Sequence, residues 1–262
     1  MSDNRWFNEV NLLSPLDASN KDEAIEKLGT LLLSNGYVKD TFVPAVRARE
    51  QEFATGLPTG VVGVAIPHTD AHHVLKQAVA VGILPTPVEF CEMGDPEDKP
   101  VDVRLIFMLA VPDKNKVMTV LQQVIAIIQS QDFLTSLVST SDRAQLAAIL
   151  DKQLNAIVEK EASQEAVVVE ESAVPEVKLV INHAVGLHAR PAALFVTLAK
   201  TFSSSITVFC KNKKANAKSI LNVLSLGADN GCEIIIRAEG DDARDALKAL
   251  SELVESNFGG VD

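Results

Sequence analysis

Gly186-Leu187-His188-Ala189-Arg190-Pro191 decides how the C-terminal third of this chain is read. A histidine stands where a strand pattern gives way to an apolar-periodic segment, and Pro191 falls inside the first turn. Proline sacrifices nothing there, because the first helical N–H groups have no intrahelical partner. Free backbone donors and the positive helix end would therefore converge on His188, with Arg190 adding a fixed cation. A lone histidine near a helix start is usually just a satisfied polar residue. The small residues Gly186, Ala189, Ala192 and Ala193, together with Arg190 and Pro191, describe instead an anion site around a nucleophilic imidazole. A phosphoryl group carried on His188 fits that description.

The flanks supply the fold. Residues 177–183 read as a strand with Val177, Leu179 and Ile181 on one face, and Ala192, Phe195, Ala199 and Phe202 recur at helical spacing. Ile206, Val208 and Cys210 alternate again. Residues 218–226 read as a short helix closed by Gly227, 233–239 as a strand, and 241–257 as a long helix with Ala243, Ala246, Leu250 and Leu253 inward. The order is β-α-β-β-α-β-α.

On these residues the segment 176–260 resembles HPr, the histidine phosphocarrier family of the bacterial phosphoenolpyruvate-dependent sugar phosphotransferase system. Residues Gly186 through Ala193 match that family's active-site signature, and Lys218-Ser219-Ile220-Leu221 with Leu224-Ser225-Leu226-Gly227 resembles its second signature. Val185 departs, standing where many members carry a small polar residue. The resemblance implies an α+β domain, an open-faced β-sandwich of four antiparallel strands and three helices. It also implies that His188 accepts phosphate from enzyme I, with Ala189 and Arg190 stabilising it. Ser219 has two readings: a hydroxyl that caps its helix, or the regulatory phosphorylation site some lineages carry.

The chain exceeds one typical domain, and a seam is visible. Residues 156–175 mix Glu, Ala, Ser and Val, without turn chemistry, and read as a flexible acidic linker between a domain at 1–155 and one at 176–262. Net charge is −7 before the linker, −4 within it and zero after it. That balance argues against nucleic acid as a partner; Lys211, Lys213, Lys214 and Lys218 form one local patch, a solvated edge or a docking surface for an acidic partner. The absence of a long apolar run and of a signal segment leads to the expectation of a cytoplasmic protein that is not membrane-embedded. Cys91, Cys210 and Cys232 fit no metal or disulfide template and are expected to be reduced packing residues.

In the first domain, residues 61–66 form an apolar run that ends in Pro67-His68-Thr69-Asp70. Ligands in open α/β sheets bind at such strand ends. Residues 77–84 and 101–110 suggest two more buried strands, and 20–35, 40–53, 114–129 and 141–157 suggest helices. An α/β domain follows, a mixed sheet flanked by helices. His68 and His72 are four apart, which invites a metal reading. Thr69 stands where a zinc protease needs Glu, and Pro67 puts His68 at a helix mouth, so no metal is expected. No cofactor is expected either.

Arg49-Glu50, Thr55-Gly56-Leu57-Pro58-Thr59-Gly60 and Ala65-Ile66-Pro67-His68-Thr69-Asp70 resemble enzyme IIA of the same system, fructose/mannitol/galactitol type. The resemblance covers residues 5–155. It implies that His68 is phosphorylated and that Arg49 helps hold the phosphate. Many members carry a second active-site histidine after the third strand. Here the helper role could fall to His72, His73 or Lys116, or be absent.

Imidazole suits this task, since its ordinary pKa of about 6.5 leaves most of it neutral in the cytoplasm. Phosphoryl transfer then needs positioning and charge more than covalent help. A flexible twenty-residue tether reaches roughly 25 Å, and tethering gives an effective concentration of roughly millimolar. The chain is thus expected to relay phosphate from enzyme I through His188 and His68 to a sugar-specific enzyme IIB/IIC. The alternative is a regulatory phosphocarrier that acts on a transcription factor or kinase. The sequence names no sugar.

Overall fold

The computed structural model describes residues 5–95, 98–114, 116–156, 175–183, 186–187, 189–211 and 213–260. His188, Val185 and most of the expected linker lie outside the described residues. The chain divides into two units, Met1–Glu161 and Ala162–Asp262. Among the described residues no helix is long and apolar enough to cross a membrane.

The first unit is a five-stranded mixed sheet. Its centre is the antiparallel pair β4 (Ala78–Cys91) and β5 (Pro100–Ala110). β4 runs seven residues past its expected end at 84. Pro85 and Pro87 fall where the register shifts between Ile83 and Val88, and a break in the ladder is where a missing N–H is tolerated. β1 (Leu12–Leu13) lies parallel to β4, β3 (Gly63–Ala65) parallel to β5, and β2 (Gly56–Leu57) antiparallel to β3. The spatial order is β1-β4-β5-β3-β2. Residues 78–84 are all buried, as strands covered on both faces must be. Ile25, Leu28 and Leu32 of α1 (Lys21–Ser34) and Phe42 and Val46 of α2 (Phe42–Glu52) share one core cluster with Ala80, Phe90, Ile106 and Met108.

Helix starts follow their caps. Asn20 accepts from the Glu23 amide at 2.9 Å, and Asp142 accepts from the Ala144 amide at 2.8 Å. α3 (Val117–Ile128) and α5 (Arg143–Leu154) match expected helices, and α4 (Gln131–Ser139) between them is an additional one. Ser130 interrupts the pattern because it caps α4, which buries Phe133, Leu134 and Leu137. Asn155 closes the unit: its Oδ1 accepts from the amides of Trp6 (2.8 Å) and Phe7 (2.9 Å), and its Nδ2 donates to the Phe7 carbonyl at 3.1 Å.

The second unit is a four-stranded antiparallel sheet with helices, in the order β6-β9-β7-β8. Its elements are β6 (Glu176–Val180), α6 (Ala189–Lys200), β7 (Ser205–Cys210), β8 (Lys213–Asn216), α7 (Ile220–Ser225), β9 (Glu233–Glu239) and α8 (Ala243–Glu255). Ile234, Ile236 and Ala238 are buried while their neighbours on β9 are not, so one face meets the core. In α8, Val254 rather than Leu253 completes the buried stripe. Lys213 donates to the Ser225 carbonyl at 3.0 Å and Lys218 to the Phe202 carbonyl at 2.7 Å, so half of the lysine patch serves carbonyls at or just past helix C-termini. The cysteine expectation needs correcting. Cys210 and Cys232 form a disulfide, while Cys91 is a thiol. Cys210 pairs in register with Ile234, which sets Cys232 at the same end of the neighbouring strand.

Candidate functional site

After β3 the chain stays extended through Ile66 and Pro67 to His68, which bridges in parallel to Leu109 near the end of β5. The Leu109 amide donates to the Pro67 carbonyl at 3.0 Å. His68 therefore sits in extended backbone rather than at a helix mouth; the nearest helical geometry is a 3-10 turn at Ala71–His73. This is the strand-end location that the sequence reading favoured, reached by continuing the sheet instead of starting a helix.

The imidazole is 6% exposed. Its Nδ1 lies 2.8 Å from the Ile66 carbonyl, which can only accept, so Nδ1 carries the ring proton and Nε2 keeps its lone pair. Arg49 Nη2 donates to Nε2 at 3.1 Å. Burial, then the Arg49 charge, pushes the imidazole down to about 4, against the opposing pull of the Ile66 carbonyl and Asp70. The ring is thus neutral near pH 7, with Nε2 facing a cation.

Arg49 comes from the last turn of α2, its guanidinium 5.5 Å from the Phe53 ring centre. Its Nε is buried without a hydrogen-bond partner among the described residues. Burial lowers the Arg49 pKa, and Asp70, Glu50 and Glu52 oppose the shift. A guanidinium nonetheless keeps its charge in proteins. The next residue, Glu50, is buried and accepts from the amide (2.8 Å) and hydroxyl (2.7 Å) of Thr55.

The candidate helpers make other contacts. His73 Nδ1 is 2.8 Å from Thr41 Oγ1, the His72 carbonyl accepts from Lys39 at 2.5 Å, and Lys116 is exposed at the N-cap of α3. Among the described residues none of the three is hydrogen-bonded to His68. Glu50 and Thr55 stand in the sequence pattern without a role of their own, and nothing in that pattern marks Phe53 or the Ile66 carbonyl. A glutamate five residues before a threonine in a helix-to-strand corner was the available signal.

In the second unit the turn that precedes residue 188 is held by the loop at 227–232. Leu187 donates to the Ala228 carbonyl at 2.8 Å, Gly231 to Ile181 at 2.7 Å, and Gly186 to His183 at 2.9 Å. Arg190 is exposed in the first turn of α6, which buries Ala192 and Ala193. Ser219 caps α7, its Oγ accepting from the Asn222 amide at 3.4 Å. Gly186 has φ +75°, and a Cβ there would lie 2.5 Å from the Ala228 carbonyl oxygen. Gly186→Ala should therefore cost about 1–3 kcal/mol, read as a lower urea midpoint for this unit; an unchanged midpoint would refute the constraint.

Residues 6–153 match the family described as phosphoenolpyruvate-dependent sugar phosphotransferase system, EIIA 2, and residues 175–256 match the PTS HPr component phosphorylation site. A multiphosphoryl transfer protein of Xanthomonas campestris pv. campestris is 30% identical over 242 residues, which cover 91% of this chain but 27% of the relative. The phosphocarrier protein HPr of Mycoplasma capricolum is 44% identical over 73 residues, 28% of this chain and 82% of that protein. The crystal structure of IIA mannitol from Escherichia coli is 26% identical, with a TM-score of 0.46, and covers 55% of this chain and 97% of that one. The chain belongs to the EIIA 2 family of the phosphoenolpyruvate-dependent sugar phosphotransferase system, and its second unit to the HPr phosphocarriers of the same system.

Proposed function

We propose that the chain is a cytoplasmic two-site phosphocarrier. His188 takes a phosphoryl group from enzyme I, passes it to Nε2 of His68, and His68 delivers it to a sugar-specific enzyme IIB that serves a membrane IIC. In the internal step the N–P bond on His188 breaks as the Nε2–P bond forms, and both rings stay neutral in their free forms. The observation that carries the reading is the Arg49 guanidinium 3.1 Å from an Nε2 whose lone pair is fixed by the Ile66 carbonyl. A phosphoryl group on Nε2 would take over those donors, including the buried Nε, and charge-assisted bonds to planar Arg are the strong ones. The name of the Xanthomonas relative, a multiphosphoryl transfer protein, supports more than one phosphoryl site in a chain of this kind, and the matched HPr phosphorylation-site family supports one in the second unit. Arg190 and the backbone of Ala189 are proposed to hold the phosphate at His188.

Incubation with enzyme I and phosphoenolpyruvate tests this. Intact mass should show two phosphoryl groups, acid-labile and base-stable, mapping to His68 and His188. His188→Ala should abolish labelling of both sites, and His68→Ala should leave His188 labelled. Direct labelling of His68 in His188→Ala, with enzyme I alone, would overturn the order.

A further inference from the structure

The corner between α2 and β2 is held from two sides. Gly56 pairs with Ala65 of β3, three residues before His68, and a Cβ on it would lie 2.4 Å from the Cys91 carbonyl oxygen. No side chain fits there, so the strand side is rigid. On the helix side, both carboxylate oxygens of Glu50 are engaged by Thr55, the residue before Gly56. Glu50 directly follows Arg49 in the last turn of α2. The carboxylate therefore ties the helix end that projects Arg49 to the strand edge that leads to His68.

That tie is made with a costly group. Glu50 is 3% and Thr55 2% exposed, and burial pushes the Glu50 carboxyl up to about 7, with the hydrogen bonds from Thr55 and the charges of Lys21 and Arg49 opposing. An apolar residue of similar volume would fill the space without that penalty. A two-point hydrogen bond does what apolar packing cannot, fixing the direction of the helix end. We propose that Glu50 and Thr55 form a positioning clasp for the reaction at His68, holding the Arg49 guanidinium on Nε2 without touching the phosphoryl group. The proposal rests on the reading of His68 as a phosphoryl acceptor.

The test compares the full chain with Glu50→Ala, Glu50→Gln and Thr55→Ala. One readout is the rate of His68 labelling against the concentration of added phosphorylated HPr; the other is the His68 titration midpoint by 15N NMR. Glu50→Ala should lower the maximal rate about tenfold, as a displaced catalytic partner does, with the half-saturating donor concentration unchanged. The His68 midpoint should rise, since the Arg49 charge withdraws. Glu50→Gln should recover most of both effects, because its carbonyl still accepts from the Thr55 amide. Thr55→Ala should fall between them. A folded Glu50→Ala with wild-type rate and midpoint overturns the clasp, as does a slowed variant whose midpoint has not moved. Should Glu50→Ala fail to fold, the same two criteria apply to Thr55→Ala. Absence of label on wild-type His68 would remove the acceptor reading, while the NMR midpoints would still decide whether the clasp holds Arg49.

Discussion

Arg49→Ala is expected to slow phosphoryl transfer at His68 by about 10²–10³-fold, the usual loss when a preorganised donor to a developing charge is removed. The effect is large because the half-buried guanidinium lies beside the buried His68 Nε2, with its own Nε shielded from solvent and the Phe53 ring supporting it, where little water can substitute for it. Arg49→Lys should restore only part of the rate, since an ammonium supplies a point charge without the planar fork. The His68 pKa should rise in Arg49→Ala but stay below its ordinary value, because burial, the larger cause, remains. Stopped-time labelling with phosphorylated HPr measures the rate. Transfer within threefold of wild type would remove Arg49 from the site.

Stability against pH should show the second large effect, in Glu50→Gln. The Glu50 carboxyl goes from 4.5 to about 7 on folding, so the folded state holds a proton that the unfolded chain releases. Its contribution is complete below 4.5 and is lost as pH rises through 7, about 3 kcal/mol for a shift of this size. His68 runs the other way, from 6.5 to about 4. Its contribution is complete above 6.5 and is lost as pH falls through 4, again about 3 kcal/mol. Between 4.5 and 6.5 the two slopes oppose each other in wild type. Glu50→Gln removes one of them. The variant should exceed wild type by about 3 kcal/mol at pH 8, match it near pH 4.5, and gain stability with rising pH where wild type is flatter. Urea unfolding followed by the fluorescence of Trp6, the single tryptophan and a buried residue of the first unit, reads this directly. Parallel pH curves for the two proteins would refute it.

Local patterning carried most of the architecture. The alternation of 233–239 gives β9, the apolar run 101–110 gives β5, and Asn20 marks a helix start by its own chemistry. What it could not carry depends on neighbours distant in sequence. β1 and β2 are two residues each, too short for any period, and exist because β4 and β3 offer them edges. Cys210 and Cys232 meet only through the register of β7 with β9. At the site, His68 was legible from the strand-end pattern, whereas Arg49 was legible only through family resemblance. The tautomer of His68 hangs on a backbone carbonyl two residues away, and no side-chain pattern records that. The burial of Glu50 was equally hidden, since a glutamate in a helix reads as solvent-facing until the Thr55 corner folds over it.

The Asn155 side chain joins the backbone at Trp6 and Phe7 to the end of α5, the last helix of its unit among the described residues. Entry and exit of the first unit thus share one address. A domain whose two ends meet can be spliced into longer polypeptides without pulling on its sheet, much as a clip can be moved along a cord. Such modularity makes covalent fusion of successive carriers structurally inexpensive. It also predicts a practical boundary: a fragment ending before Asn155 would lose the knot at both ends of the unit, whereas one that keeps it can be recombined with other carriers as an intact part.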